Sequence, residues 1–241
     1  VIVTSRSYYS SVSSIIRVGA KPVFADIDSK TMNISPISIK ENITKNTKAI
    51  ICVHLYGMPC DMKLIQELVK DKNIKIVEDC SQAHGAEINS IKVGSFGDIA
   101  VWSFCNDKII STGGEGGMIS TNNKQLFNKV WSYKEIGKNL TKMKGVNNSS
   151  NFPYIHDFIG TNARMTEIQS LIGRHQLREL DKFIKIRNSH ASRLTEALSN
   201  FRSIITPTYE KKFKHAFYRY TIILNSKYLK MFDHINETVI S

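Results

Sequence analysis

The segment most informative about the fold is Ile76-Val77-Glu78-Asp79-Cys80-Ser81-Gln82-Ala83-His84-Gly85. It starts as a short apolar run, continues into two acids, and then becomes small and polar. A short apolar run bounded in this way is typical of a buried strand whose carboxyl end carries polar side chains. Ligands of open α/β sheets bind at the carboxyl ends of the strands, so we expect chemistry just after Val77.

Similar apolar runs recur on both sides of this stretch, separated by segments of helical length. We predict strands at Val1–Val3, Pro22–Ile27, Ala49–Leu55, Lys75–Val77 and Ile99–Phe104, and a further strand-like run at Met118–Ser120. We predict helices at Tyr8–Val18, Ser35–Asn42 and Asp61–Asp71, the last with Asp61 as its N-cap. This alternation predicts an α/β fold in which a mostly parallel sheet is sandwiched by helices.

The second half of the chain has a different pattern. A polar stretch at residues 138–151 predicts a surface loop, and apolar residues at helical spacing between Thr161 and about Phe201 predict one or two long helices. The run Tyr218–Leu224 is strand-like. We therefore divide the chain into a large domain at residues 1–175 and a linking helix with part of a smaller α+β domain at residues 176–241. Both ends look truncated, so we expect a fragment of a longer chain.

A second site candidate follows the predicted strand that ends at Phe104. Lys108 lies in the loop after this strand, and the glycine-rich stretch Thr112–Gly117 comes next, where the backbone can pass close to a bulky group. The glycines match neither the phosphate loop of nucleotide-binding proteins nor the dinucleotide fingerprint. From the residues alone, Asp79 could be a metal ligand, a helix cap or a partner for a cationic ring, and a lysine in a loop is usually solvated.

Ordered blocks along most of the chain carry a family resemblance. They are Gly19–Asp28, Val53–Gly57, Glu78–Ala86, Val93–Asp98, Ser103–Gly117 and Gly160–Gln169. In this order they resemble the DegT/DnrJ/EryC1/StrS sugar aminotransferases, which are pyridoxal 5'-phosphate (PLP) enzymes of the aspartate-aminotransferase fold. The resemblance implies the large domain of fold type I PLP-dependent transferases, with PLP as the cofactor.

The resemblance also implies roles for residues near the two strand ends. Lys108 aligns with the lysine that holds the cofactor covalently and then moves a proton. Asp79 aligns with the acid that keeps the cofactor's pyridine nitrogen protonated, because a nearby carboxylate favours the charged ring. Gln82 aligns with the residue that contacts the ring oxygen of the cofactor.

Three further residues follow from the same alignment. Ser103 aligns with a hydroxyl donor to the cofactor phosphate. Tyr8 falls where the family stacks an aromatic ring on the cofactor, although helix phase leaves Tyr9 open as the alternative. Asn162 aligns with an asparagine that reaches the phosphate from the partner subunit, which implies a homodimer. We expect His54 and His84 to be structural.

The implied reaction moves an amino group from an amino acid, with glutamate as the expected donor, to a nucleotide-linked keto-sugar. A dehydratase branch of the family has histidine in place of the lysine, and Lys108 argues against that branch. The alternative from another class is a catalytically inactive or regulatory homologue that binds nucleic acid through a basic surface.

Charge and composition bear on that alternative. The net charge is +12, and residues 181–230 contain eleven Lys and Arg against three acids. No nucleic-acid-binding motif accompanies the charge, so we expect no nucleic-acid partner. The four cysteines and seven histidines lack metal-site spacing, which predicts reduced thiols and no metal. With no apolar run long enough for a membrane helix and no secretory leader, we expect a cytoplasmic protein.

Overall fold

The structure is a computed structural model that describes residues 1–140 and 156–228. Its centre is a six-stranded sheet in the order β2-β1-β3-β4-β7-β8. The strands are β1 (Ile2–Thr4), β2 (Val23–Ala25), β3 (Ala49–Val53), β4 (Lys75–Asp79), β7 (Ile99–Ser103) and β8 (Gly117–Ser120). All neighbours pair in parallel except β7 and β8, which are antiparallel. The prediction of a mostly parallel α/β sheet is confirmed, and every predicted strand of this sheet is present.

Five α-helices flank the sheet among the described residues: α1 (Ser10–Arg17), α2 (Pro36–Asn42), α3 (Met62–Val69), α4 (Lys124–Lys134) and α5 (Glu167–Leu198). The Asp61 side chain caps α3 by accepting a hydrogen bond from the backbone N–H of Leu64, as predicted. The predicted long helix begins at Glu167, where Thr166 and Gln169 form a capping box. None of the described helices has the length and apolar character needed to cross a bilayer.

The core lies between the sheet and its helices. Ile2, Ile50 and Ala100 of the strands are fully buried, as are Met62 and Ile65 on one face of α3. The strands are less uniformly buried than their apolar sequences predict. At the β8 edge, Met118 and Ile119 remain about half exposed, because no described element covers them.

The segment after α5 returns to the main body. It forms β9 (Ile204–Ile205), β10 (Phe213–Lys214) and β11 (Ile223–Leu224). β10 pairs with β5 (Glu87–Ile88), which pairs in turn with β6 (Ile91–Lys92), while β11 pairs with β9. The segment therefore joins a small sheet whose other two strands belong to the first half of the chain. The division into domains at residue 175 stays a prediction.

The structure bears differently on the strand and the loop predicted in the second half of the chain. The strand predicted at Tyr218–Leu224 is wrong for residues 218–222, since only Ile223 and Leu224 pair. Phe217 adopts a left-handed backbone conformation with φ 47°, which interrupts extended structure at this point. Residues 141–151 of the predicted polar loop lie outside the described residues.

Candidate active site

The parallel strands bring the two predicted site segments to one edge of the sheet. β4 ends at Asp79 and its neighbour β7 ends at Ser103. Asp79 pairs with Val101, so Ser103 lies two residues further along the adjacent strand. Lys108 follows in the loop after β7. The carboxylate, the hydroxyl and the amine therefore come from neighbouring strand ends, as the sequence predicts.

Asp79 is partly buried and held by two donors. Its Oδ2 accepts a hydrogen bond of 2.9 Å from the hydroxyl of Ser11, and its Oδ1 accepts one of 3.1 Å from the backbone N–H of Ser81. Ser11 lies on α1 and is also within 2.7 Å, oxygen to oxygen, of the Ser7 hydroxyl. The sequence analysis did not find Ser11. Its only signal is a position one helical turn after Ser7, in the block that contains Tyr8.

Glu78 points the other way, into the core. Its fully buried carboxylate lies 3.0 Å from Nε2 of His54 and accepts three backbone hydrogen bonds, from the N–H groups of Gly94, Phe96 and Gly97. Burial alone would raise the pKa of Glu78, but the hydrogen bonds from His54 and the backbone outweigh burial and hold this pKa below its usual value. Glu78 therefore anchors the segment that leads into β7.

His54, Glu78 and Cys80 each have a side-chain atom that could bind a metal ion, and these atoms lie within 4.8 Å of one another. Both ring nitrogens of His54 are already used, because Nδ1 accepts a 3.0 Å hydrogen bond from the backbone N–H of Cys60 and Nε2 faces Glu78. Burial raises the pKa of Cys80 well above its usual value, so its thiol stays protonated. The group is a hydrogen-bonded part of the core, and His54 has the structural role expected of it.

Lys108 is mostly buried, with 13% of its side chain exposed. Its Nζ lies 3.3 Å from Oδ1 of Asp107 and 3.5 Å from the hydroxyl oxygen of Tyr218. Tyr218 is the residue that the sequence analysis missed at the site. It follows Lys108 by 110 residues and falls in a run interpreted as a strand, so no local pattern connects the two.

The glycine-rich stretch folds the Lys108 loop back onto the sheet. The backbone N–H of Phe104 bonds to the carbonyl of Gly116 at 2.8 Å, and that of Thr112 bonds to the carbonyl of Phe104 at 3.1 Å. The Gln169 side chain, at the start of α5, donates to the Glu115 carbonyl at 2.7 Å. The loop that carries Lys108 is therefore closed at its base and tied to the long helix.

Gln82 and Ser103 are both partly buried near this edge. Oε1 of Gln82 accepts a 2.7 Å hydrogen bond from the backbone N–H of Tyr56, which lies in a 3-10 helix (Leu55–Gly57) after β3. This bond fixes the side-chain amide and leaves its NH₂ group as a donor. The Ser103 hydroxyl accepts a long, 3.4 Å hydrogen bond from the backbone N–H of Cys105. The Ser103 proton therefore remains available for a ligand.

Tyr8, Tyr9 and Asn162 lie on the surface. The side chains of Tyr8 and Tyr9 are 72% and 74% exposed, so exposure does not decide which of them faces a ligand. Asn162 is also exposed, and its Oδ1 accepts a 3.0 Å hydrogen bond from Nε of Arg164. Within residues 1–140 and 156–228, no side-chain hydrogen bond joins Tyr8 or Asn162 to Lys108 or Asp79.

His84 is buried between two aromatic rings. Its ring centroid lies 5.5 Å from that of Trp102 and 5.7 Å from that of Phe104. Burial, together with a smaller contribution from the positive charge of Lys108, lowers the pKa of His84 to about 4. The imidazole is therefore neutral near pH 7, which suits the structural role expected of it.

Comparisons with known proteins support the family resemblance. The model of the DegT/DnrJ/EryC1/StrS aminotransferase family matches residues 1–240. The GDP-perosamine synthase of Escherichia coli O157:H7 is 39% identical over 223 residues, which are 92% of this chain and 57% of that protein. A UDP-N-acetyl-3-dehydro-alpha-D-glucosamine 3-aminotransferase of Acidithiobacillus ferrooxidans is 35% identical over 94% of this chain and 58% of its own length.

A solved structure agrees with these relatives. The aminotransferase from Psychrobacter cryohalolentis superimposes with a TM-score of 0.91 at 40% identity, over 94% of this chain and 59% of that one. The chain thus spans somewhat less than two thirds of the length of each protein compared. With a family match over almost every residue and a shared fold, the chain belongs to the DegT/DnrJ/EryC1/StrS aminotransferase family, a family of PLP-dependent enzymes that includes sugar aminotransferases.

Proposed function

We propose that this chain supplies the catalytic centre of a PLP-dependent aminotransferase that acts on a nucleotide-linked keto-sugar. The observation that carries the proposal is the meeting of Lys108, Asp79 and Ser103 at neighbouring strand ends in a chain that belongs to this family. Glutamate is the expected amino donor. We propose this activity for the whole protein.

The chemistry of the donor set fits PLP. The cofactor has an aldehyde, a basic ring nitrogen, a ring oxygen and a phosphate, which call for an amine, a carboxylate and hydrogen-bond donors. This edge of the sheet offers the amine of Lys108, the carboxylate of Asp79, the free NH₂ of Gln82 and the hydroxyl of Ser103. Each functional group of the cofactor thus has a complementary side chain.

In the proposed mechanism, PLP supplies the electron sink that makes the amino-group transfer possible. Lys108 would hold the cofactor through its amine, and the amine, once released by the incoming amino donor, would serve as the base that moves a proton. Asp79 keeps a proton on the ring nitrogen, and the hydrogen bonds from Ser11 and Ser81 fix the direction in which it faces. Because these two hydrogen bonds come from the protein itself, the orientation of Asp79 does not depend on substrate.

The remaining predicted residues complete the proposed cofactor site. Gln82 is placed to donate to the ring oxygen, and Ser103 donates to the phosphate. Tyr8 covers the ring face, with Tyr9 as the alternative, and its exposure in the single chain leaves it free to cover a ligand. Asn162 acts on the phosphate of the partner subunit in a homodimer, which its exposed position permits.

The substrate class rests on the relatives. One is named for the synthesis of GDP-perosamine and another for amination of a UDP-linked sugar. Both names imply sugars carried on a nucleoside diphosphate, although the nucleotides differ. We therefore propose a nucleotide-activated keto-sugar as the acceptor and a cytoplasmic site of action, where such sugars are assembled.

The two rival functions are less well supported. A dehydratase of this family would need histidine in place of Lys108. A regulator without catalysis would need neither a mostly buried Lys108 nor an oriented Asp79 at the end of the neighbouring strand. The excess of Lys and Arg over acids in residues 181–230 is the observation that favours the regulator. Salt-dependent DNA binding without any PLP-dependent absorbance would support it.

The test is a spectrum of the full-length protein. Added PLP should give the visible absorbance of lysine-bound cofactor, and glutamate should bleach that band as the amino group is transferred. Lys108→Ala should abolish the band, whereas Lys134→Ala, at the end of α4, should leave it unchanged. A Lys108→Ala protein that keeps the band would show that the lysine is assigned wrongly.

A further inference from the structure

The amine of Lys108 is held by a residue from the far end of the chain. Its Nζ lies 3.3 Å from Oδ1 of Asp107 and 3.5 Å from the hydroxyl oxygen of Tyr218. The Tyr218 hydroxyl donates its own hydrogen bond to Oδ2 of Asp107. Because that proton is committed to the carboxylate, the phenolic oxygen has lone pairs left for Lys108. The three side chains form a closed triangle.

The backbone around Tyr218 is fixed from the side of α5. Nη1 of Arg187 donates to the carbonyl of Phe217 at 3.0 Å and lies 3.5 Å from the carbonyl of Tyr218. One residue further along the helix, the Asn188 side chain donates to the carbonyl of His215 at 3.0 Å. The long helix thus supplies donors to the carbonyl groups of three residues in this irregular segment, His215, Phe217 and Tyr218.

The same segment is fixed from the opposite side by the 3-10 helix after β3. The backbone N–H of Ala216 donates to the carbonyl of Gly57 at 2.9 Å, and that of Arg219 donates to the carbonyl of Tyr56 at 3.2 Å. Gly57 has φ 98°, and a Cβ added there would lie 3.0 Å from the Cβ of Ala216. The guanidinium of Arg219 lies over the rings of Tyr56 and Tyr218, at 5.7 and 5.5 Å. The segment around Tyr218 is therefore held between α5 and the 3-10 helix.

We propose that Tyr218, acting together with Asp107, is a positioning residue for Lys108 that fixes the amine and stabilises its protonated form whenever the amine is not bound to the cofactor. The inference rests on the proposed function, in which the amine is released and carries a proton. A free lysine side chain loses rotamer entropy when it is fixed, so a preformed partner makes the productive position easier to reach. Tyr218 acts through Lys108 and needs no contact with substrate.

The charged and titratable groups around Lys108 come from three elements. Cys105 and Asp107 belong to its own loop, Tyr218 comes from the segment after α5, and His84 comes from the segment after β4. Burial lowers the pKa of Lys108, but Tyr218, Cys105 and Asp107 together outweigh burial, so that the net shift is upward. His84 is neutral near pH 7 and does not compete as a cation.

The test measures the amine of Lys108 directly in the full-length protein from which the cofactor has been removed. The rate at which an amine-directed acylating reagent modifies Lys108 is followed against pH by peptide mass spectrometry. Tyr218→Phe keeps the ring but removes the hydroxyl, so the pH midpoint of modification should fall by about one unit, as expected for one lost hydrogen bond to a charged group.

Tyr220→Phe is the matched control. The Tyr220 hydroxyl bonds to Oγ1 of Thr195 at 2.7 Å and lies away from the triangle, so this variant should keep the wild-type midpoint. In Asp107→Asn the negative charge is lost, and the midpoint should fall at least as far as in Tyr218→Phe.

A folded Tyr218→Phe protein with the wild-type midpoint would overturn the proposal. If that variant does not fold, Asp107→Asn decides in its place, and an unchanged midpoint there has the same consequence. The measurement needs neither cofactor nor substrate. Its outcome is therefore independent of the proposed function, which is tested by the absorbance of the full-length protein with PLP and glutamate.

Discussion

Glu78 and Asp79 are neighbours on β4, but their carboxylates meet opposite surroundings. Side chains alternate along a strand, so one acid enters the core and the other reaches the ligand edge. Glu78 is fully buried and its oxygens are used by His54 and three backbone N–H groups. Asp79 is partly exposed and, within the described part of the chain, accepts hydrogen bonds from Ser11 and Ser81 alone. A carboxylate whose oxygens are fully hydrogen-bonded within the protein stabilises the fold. A carboxylate with acceptor capacity left over is available to bind a ligand.

The largest expected effect is on the buried side of this pair. Glu78→Gln places an NH₂ group against backbone donors and removes the charge that His54 faces, so it should lower the free energy of unfolding by about 3 kcal/mol. Urea unfolding of the full-length protein measures this. Glu87→Gln, which loses only ion pairs with Lys92 and Lys214 near the surface, should change it by less than about 1 kcal/mol. Equal effects of the two variants would contradict the structural role of Glu78.

Asp79→Asn should lower catalytic activity strongly and stability only slightly, the opposite of what we expect for Glu78→Gln. Its stability should change little, because the amide oxygen can still accept from the backbone N–H of Ser81 while the NH₂ group donates to the Ser11 hydroxyl. Catalytic efficiency should fall by roughly a hundredfold or more, since a preoriented charge at the reacting group is lost. Steady-state kinetics and urea unfolding on the same samples separate the two quantities. Large destabilisation with unchanged kinetics would reverse the assignment of the two acids.

The pH dependence of stability sharpens the contrast. The pKa of Glu78 is lower in the folded protein than its usual value of 4.5. A carboxyl group with a depressed folded pKa contributes stability that is present above pH 4.5 and is lost as the pH falls through the folded pKa. The difference in unfolding free energy between wild type and Glu78→Gln should therefore shrink below pH 4.5. A difference that stays constant down to acid pH would contradict the ionised state of Glu78.

The smallest expected effect tests how Asp79 is held. Ser11→Ala removes the 2.9 Å hydrogen bond to Oδ2 and should reduce catalytic efficiency by about fivefold, as expected for roughly 1 kcal/mol. Ser14→Ala on the same helix is the control, because its hydroxyl is exposed and bonds only weakly to a helix carbonyl. If both variants behave alike, Ser11 does not orient Asp79.

The sequence predicts the sheet and its ligand edge well, for a physical reason. Strands such as Ala49–Val53 are short apolar runs between helices, and the parallel order places their ends together once the alternation is recognised. Lys108, Asp79 and Ser103 follow from strand ends together with the family resemblance. Helix α4 was missed although Asn123 caps it and Leu126, Phe127, Val130 and Trp131 recur at helical spacing.

The contacts that fix the site could not be read from the sequence. Tyr218 reaches Lys108 across 110 residues, and Ser11 reaches Asp79 across 68. Such pairs depend on how α1 and the segment after α5 pack on the sheet, and no local pattern encodes that packing. The left-handed backbone of Phe217, directly before the predicted strand, is likewise set by the hydrogen bonds of its neighbours to the 3-10 helix.

The central claim is that Lys108 binds the cofactor at the strand edge that it shares with Asp79. Borohydride reduction of the PLP-loaded full-length protein makes that linkage permanent, and peptide mass spectrometry then locates it. The account predicts the cofactor-derived mass on the peptide that contains Lys108, with reduced labelling in Asp79→Asn. Labelling at another lysine, with Lys108 unmodified, would contradict it.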